Sequence, residues 1–126
     1  GLELNPQFSK RGGILPVAVQ ETSTGQVLML ASVNEEALKK TLKTKLATFW
    51  STSRNQLWTK GETSGDLLRI DDILIDCDQD ALVYKVTLMG EGVCHTYDDK
   101  GSHRKACFYR KLDSELESLE FIKDMR

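Results

Sequence analysis

Residues 67–89, LLRIDDILIDCDQDALVYKVTLM, set two apolar, β-branched runs on either side of an acidic corner. The runs, Leu67 to Ile75 and Ala81 to Met89, read as consecutive strands. The corner is Asp76-Cys77-Asp78-Gln79-Asp80. In an extended chain alternate side chains share a face, so Asp76, Asp78 and Asp80 are expected on one side and Cys77 on the other. Carboxylates so placed repel one another unless a cation neutralises them, and hard, oxygen-liganded Mg²⁺ or Ca²⁺ suits them. The thiol suits a softer metal, of which zinc is the commonest. An Asp-rich turn with a buried thiol explains the same residues without a metal. An EF-hand loop does not, because its Gly and Glu positions, counted from Asp76, hold Ala81 and Thr87.

Upstream, Ile14 to Gln20 is apolar and β-branched, and its Pro16 points to an edge strand. A polar turn, Glu21 to Gly25, leads to a second run, Gln26 to Ser32, and together they predict a hairpin. Asn34 is an N-cap ahead of Glu35 and Glu36, and Ala37, Leu38 and Leu42 form an apolar stripe, so a helix is expected over Glu35 to Lys43. Short strands are expected at Ala47 to Ser51 and from Leu57, on either side of polar Ser53-Arg54-Asn55-Gln56. Downstream, Val93 to Thr96 carries Cys94 and His95, and Tyr97 to Arg104 reads as an exposed loop. Lys105 to Lys111 looks like a strand. Asp113 is expected to cap a last helix running to Lys123, with Leu116, Leu119 and Phe121 or Ile122 buried. Strands outnumber helices without alternating regularly with them. The expected fold is therefore α+β: a single compact β-rich domain over 1–126 with one or two packed helices, residues 1–10 forming a flexible arm.

The 126 residues, 40% hydrophobic and 29% charged, suffice for one soluble domain with a modest core. A net charge of −2 gives no basic field to attract nucleic acid. No apolar run approaches the ~20 residues needed to cross a bilayer. No secretory segment stands at the N-terminus, so a cytoplasmic setting is expected. There the three cysteines, Cys77, Cys94 and Cys107, are free, catalytic or metal-bound rather than paired in disulfides. Three thiolates and an exchangeable water complete a four-coordinate zinc; three unrelated buried thiols are the plainer alternative. The gap from Cys94 to Cys107 is too long for a zinc finger or ribbon.

His95, next to Cys94, has the chemistry of a general base near neutral pH, although a lone histidine is more often a surface or hydrogen-bonded group. His103, in the polar loop, is read as the latter. Lys60-Gly61-Glu62-Thr63-Ser64-Gly65 has a phosphate-holding composition: glycines admit close backbone approach, hydroxyls donate, and Lys60 supplies charge. It lacks the Gly-Lys-Ser/Thr order of a Walker A loop, and an ordinary polar loop is the alternative. Arg54 and Lys60 flank Trp58, which suits a phosphate and a stacked base, or leaves Trp58 as core.

Taken together, these segments resemble the phosphoribosyl-AMP cyclohydrolase family of histidine biosynthesis. The matching pieces are Arg11-Gly12-Gly13, Val27-Leu28-Met29-Leu30-Ala31, Ser51-Thr52-Ser53-Arg54, Leu57 to Gly65, Asp76 to Leu82, Cys94-His95-Thr96 and Cys107-Phe108-Tyr109-Arg110. The Trp-x-Lys-Gly-Glu-Thr-Ser-Gly and Asp-Cys-Asp-x-Asp segments are the most specific. The resemblance implies zinc (Zn²⁺) on Cys77, Cys94 and Cys107, and magnesium (Mg²⁺) on Asp76, Asp78 and Asp80. It implies an intertwined homodimer whose zinc ligands come from both subunits. From the residues themselves, the nucleotide site is expected at Arg54, Trp58, Lys60, Gly61, Glu62, Thr63 and Ser64, with His95, next to Cys94, as the expected catalytic base. The implied reaction is hydrolytic opening of the adenine ring between N1 and C6. One departure stands out: the family's Cys-His-Thr-Gly becomes Cys-His-Thr-Tyr97, and Asp98 to Lys105 lengthen the loop before Cys107, with Ala106 in place of the family's Ser. Two rivals carry less. A nucleobase deaminase would need His-x-Glu and Pro-Cys-x-x-Cys, which are absent. A zinc-stabilised binding module would need all four zinc positions filled by protein.

Overall fold

A computed structural model describes residues 1–126. The fold is α+β, built mostly of strands with one α-helix. β1 (Leu15–Glu21) and β2 (Val27–Val33) form the expected antiparallel hairpin. β5 (Leu68–Ile75) and β6 (Leu82–Leu88) form another, and β1 joins β6 in parallel, giving the order β2-β1-β6-β5. β3 (Thr48–Ser51) pairs with β4 (Gln56–Thr59), and β7 (Arg110–Leu112) with β8 (Leu119–Phe121).

Period-2 burial builds the core. Leu15, Val17 and Val19 of β1 and Leu82, Tyr84 and Val86 of β6 all face inward. The register pairs Val17 with Leu82 and Val19 with Tyr84, so the two strands present one continuous apolar face. Phe49, Leu28, Leu68, Val93 and Ala106 complete it. Helix α1 (Glu35–Thr44) starts where Asn34 Oδ1 accepts from the Ala37 amide at 2.8 Å, as its cap predicts.

Three expectations are corrected. Pro16 does not mark an edge, because β1 lies between β2 and β6. Pairing with β6 begins at Val17, one residue past the ring, so no donor is missed on that side. Lys105 to Lys111 is not one strand; only Arg110–Leu112 is. The last helix is absent. Asp113 does accept from the Glu115 and Glu117 amides, as a cap would. However, Leu116 turns to φ 58° and Asp113 N–H returns to Ser118 O at 3.1 Å, closing a hairpin loop. The leucine stripe has no core to pack on within the chain: Leu112, Leu116, Leu119 and Phe121 are all exposed. A helix needs such a surface to be stable at this length.

Candidate active site

The acidic corner is a turn. β5 ends at Ile75, and bonds from Asp76 N–H to Ala81 O and from Gln79 N–H to Asp76 O, each 3.1 Å, close it. Asp76 Oδ1 accepts from the amides of Asp80 and Ala81 at 2.9 and 3.1 Å. Alternation along a strand is thus not what gathers the carboxylates; the turn does it, bringing one ligand oxygen from each of Asp76, Asp78 and Asp80 within 4.8 Å of one another. The N-terminal segment docks on the same turn, with Gln7 N–H on Gln79 O at 2.8 Å and Asn5 N–H on Gln79 Oε1 at 2.7 Å. From it, Lys10 Nζ and Arg11 Nη2 each reach Asp80 Oδ2 at 3.0 Å, and Lys10 also reaches Asp78 at 3.3 Å. The hydrogen bond from Lys10 leads the causes that hold the Asp80 carboxyl well below the usual carboxylate range; burial opposes it. Three hard carboxylates fit a divalent cation, which would share or replace the counter-charge of Lys10 and Arg11.

Cys94 and Cys107 are neighbours across the base of the 97–104 loop. The amides of Val93 and Cys94 donate to Lys105 O and Arg104 O, each at 3.1 Å, and Arg104 N–H donates to Thr96 O at 3.0 Å. Cys107 N–H donates to Leu28 O at 2.7 Å, tying it to β2. This close approach needs Gly92, where a Cβ would stand 2.4 Å from Arg104 O. Beyond it, Tyr97 bridges to His103 and their rings stack at 4.4 Å. Asp98 Oδ1 accepts from the Lys100 and Ser102 amides at 2.9 Å. His103 Nδ1 lies 2.9 Å from Cys94 O and donates to it, since a carbonyl only accepts. Residues 97–104 therefore form a small hairpin that leaves the two thiols adjacent. Cys107 retains surface exposure as a residue, but its sulphur is crowded. Desolvation first, then the charge and hydrogen bond of Cys94, push its pKa up to about 11, against the pull of Lys60. A soft dication bound by the two sulphurs would favour their thiolate forms.

Cys77 sits in the acidic turn, exposed, and the three cysteines form no common cluster within one chain.

Lys60 follows β4, its amide donating to Ala47 O at 3.0 Å, and its charge works against the rise of the Cys107 pKa. Glu62, Thr63 and Ser64 follow on an exposed loop. The loop is closed by Gly65 N–H on Gly61 O at 2.8 Å, and Asp66 Oδ1 accepts from Glu91 N–H at 3.0 Å, tying it to the turn before Cys94. Arg54 and Trp58 line a cavity of about 320 Å³ with Ser51 and Gln56. Trp58 packs on Phe49, ring centroids 4.9 Å apart and planes tilted by 41°. His95 is exposed, beside the buried Cys94. The geometry adds Lys10 and Asp66 to the site, and gives Thr96, until here only the end of the Cys94-His95-Thr96 piece, a contact of its own with Cys94. Their signals were faint: a basic residue in a polar arm, an acid just past a glycine, and a hydroxyl two residues from a thiol.

The family model for phosphoribosyl-AMP cyclohydrolase matches residues 29–109. The chain is 50% identical over 111 residues to the phosphoribosyl-AMP cyclohydrolase of Hyphomonas neptunium, covering 88% of this chain and 79% of that protein. It is likewise 50% identical over 109 residues to that of Archaeoglobus fulgidus (86% and 94%) and 48% identical over 113 residues to that of Methanothermobacter thermautotrophicus (89% and 77%). The chain belongs to the phosphoribosyl-AMP cyclohydrolase family.

Proposed function

We propose that this chain is an enzyme of histidine biosynthesis that hydrolyses the N1–C6 bond of the adenine ring in 1-(5-phosphoribosyl)-AMP. The product is the formimino-aminoimidazole carboxamide ribotide. The observation that carries the reading is the paired Cys94 and Cys107 beside Lys60, within a chain of this family. Ribosylation of N1 makes C6 electrophilic. Zinc on Cys77, Cys94 and Cys107 supplies Lewis acidity toward water, and magnesium on Asp76, Asp78 and Asp80 supplies positive charge for oxygen ligands. Neutral His95 accepts a proton from the water that adds to C6. The N1–C6 bond then breaks as that proton passes to N1, leaving a carboxamide at C6 and N1–H on the formimino side. Arg54 and Lys60 offer cationic groups to the two phosphates, and the glycines of the 60–65 loop let backbone amides approach them. Trp58, which lines the cavity beside Arg54, stacks on the base.

The active form in this reading is a homodimer, with Cys77 of one copy completing the thiol pair of the other. Two features support it: Cys77 stands apart from Cys94 and Cys107 within one chain, and Leu30, Leu74, Leu112, Leu119 and Phe121 are exposed. The test is incubation with 1-(5-phosphoribosyl)-AMP, with and without a chelator, following the ultraviolet change on ring opening. Turnover that a chelator stops and zinc restores is expected. An unchanged substrate spectrum with the zinc-loaded protein refutes the reading.

A further inference from the structure

We infer that Thr96 is a positioning residue that tunes the Cys94 sulphur, an inference that rests on the zinc reading above. Cys94 is 4% exposed, so its sulphur has little access to water. Thr96 Oγ1 lies 2.9 Å from Cys94 Sγ, and the Thr96 amide donates to the same sulphur at 3.4 Å. In the thiol form either the hydroxyl or the thiol can donate. A thiolate has only lone pairs, so with Cys94 ionised the Thr96 hydroxyl must be the donor.

Thr96 is itself fixed. Its carbonyl accepts from Arg104 N–H at 3.0 Å, while Arg104 O accepts from the Cys94 amide and His103 Nδ1–H donates to the Cys94 carbonyl. The clasp is closed by the 97–104 loop. Amide, carbonyl and sulphur of Cys94 are thus each held by a residue of 96–104. Two hydrogen bonds into one sulphur withdraw charge from it and lock the side chain's orientation. A set of three thiolates donates more charge to zinc than three imidazoles do and so weakens its Lewis acidity. Thr96 offsets this by drawing part of that charge away from one of the three.

The test is Thr96→Val, which keeps the shape and removes the hydroxyl, beside Thr96→Ser, which keeps the hydroxyl. Both full chains are loaded with cobalt(II), and the sulphur-to-cobalt charge-transfer band and ring-opening kcat are recorded. In Thr96→Val the band should move to lower energy, because the sulphur is more electron-rich, and kcat should fall by roughly 10–100-fold, the usual cost of losing such a partner. Thr96→Ser should stay close to the parent in both. A band and kcat in Thr96→Val that match the parent overturn the inference alone. A parent protein with no sulphur-to-cobalt band overturns the zinc reading and this inference with it. If Thr96→Val melts too early to load, Thr96→Ser decides: a shifted band there means that packing, not donation, is what Thr96 supplies, and the inference falls.

Discussion

Gly61 has no room for a side chain. Its φ is +80°, and a Cβ would stand 2.1 Å from the backbone carbon of Asp66. Gly61→Ala is therefore expected to lose more than about 1 kcal/mol from the left-handed backbone alone. Displacement of the loop should raise KM as well, and urea unfolding with steady-state kinetics reads both effects. A variant with the parent's midpoint and KM would mean the loop adapts freely. His95 is exposed beside Cys94 and has the chemistry to move a proton. His95→Asn should retain its zinc and lose about 10²–10⁴-fold in kcat, the ordinary contribution of a general base. Loss of zinc instead would make His95 a ligand, and an unchanged kcat would assign the proton to another group.

Among the elements, α1 is joined to the sheet by a buried hydroxyl. Thr41 Oγ1 lies 2.9 Å from Ala37 O and 3.1 Å from Thr48 O, and it accepts from Thr48 N–H at 3.0 Å. Tyr84 O–H donates to the same oxygen at 3.4 Å, and burial pushes the Tyr84 pKa up to about 12. Thr41→Val preserves the volume and strands two buried donors, the Thr48 amide and the Tyr84 hydroxyl. A loss of about 1–3 kcal/mol is expected for leaving such a group unpaired. Denaturant titration measures it, and a change under 0.5 kcal/mol would show that the site relaxes to other partners. Sequence periodicity marked α1 from its Asn34 cap and apolar stripe. It passed over Thr41, because a threonine on a helix carries no pattern of its own until a strand lies against it.

At the scale of the whole molecule, acid should act through particular carboxylates. Asp71 Oδ2 accepts from the hydroxyls of Thr22 at 2.5 Å and Thr87 at 2.7 Å, tying the β1–β2 turn to β5 and β6. The Thr22 bond, then the Thr87 bond, lower its pKa. The folded pKa is below the unfolded one, about 3.9. The stability Asp71 contributes is therefore full above that value and is lost as pH falls through the folded pKa. Asp71→Asn should lower the urea midpoint at pH 7 and have a smaller effect at pH 3; equal losses at both would assign the effect to packing. Subunit exchange tests the assembly. A Cys77→Ser chain mixed with a Cys94→Ser, Cys107→Ser chain should regain activity that neither has alone, because one of the two shared sites is then whole. No recovery after verified exchange would place all three thiols in one subunit. The sequence by itself determined the strands around the acidic corner, the β1–β2 hairpin, α1 and the residue types of the site, because local periodicity and capping act over a few neighbours. Tertiary structure alone decided that Pro16 sits on an interior strand, that the Asp113–Lys123 stripe folds as a hairpin, and that Cys107 meets Cys94 while Cys77 stands apart. Those outcomes depend on which surface is available to pack against, and that is a property of distant segments that no local pattern encodes.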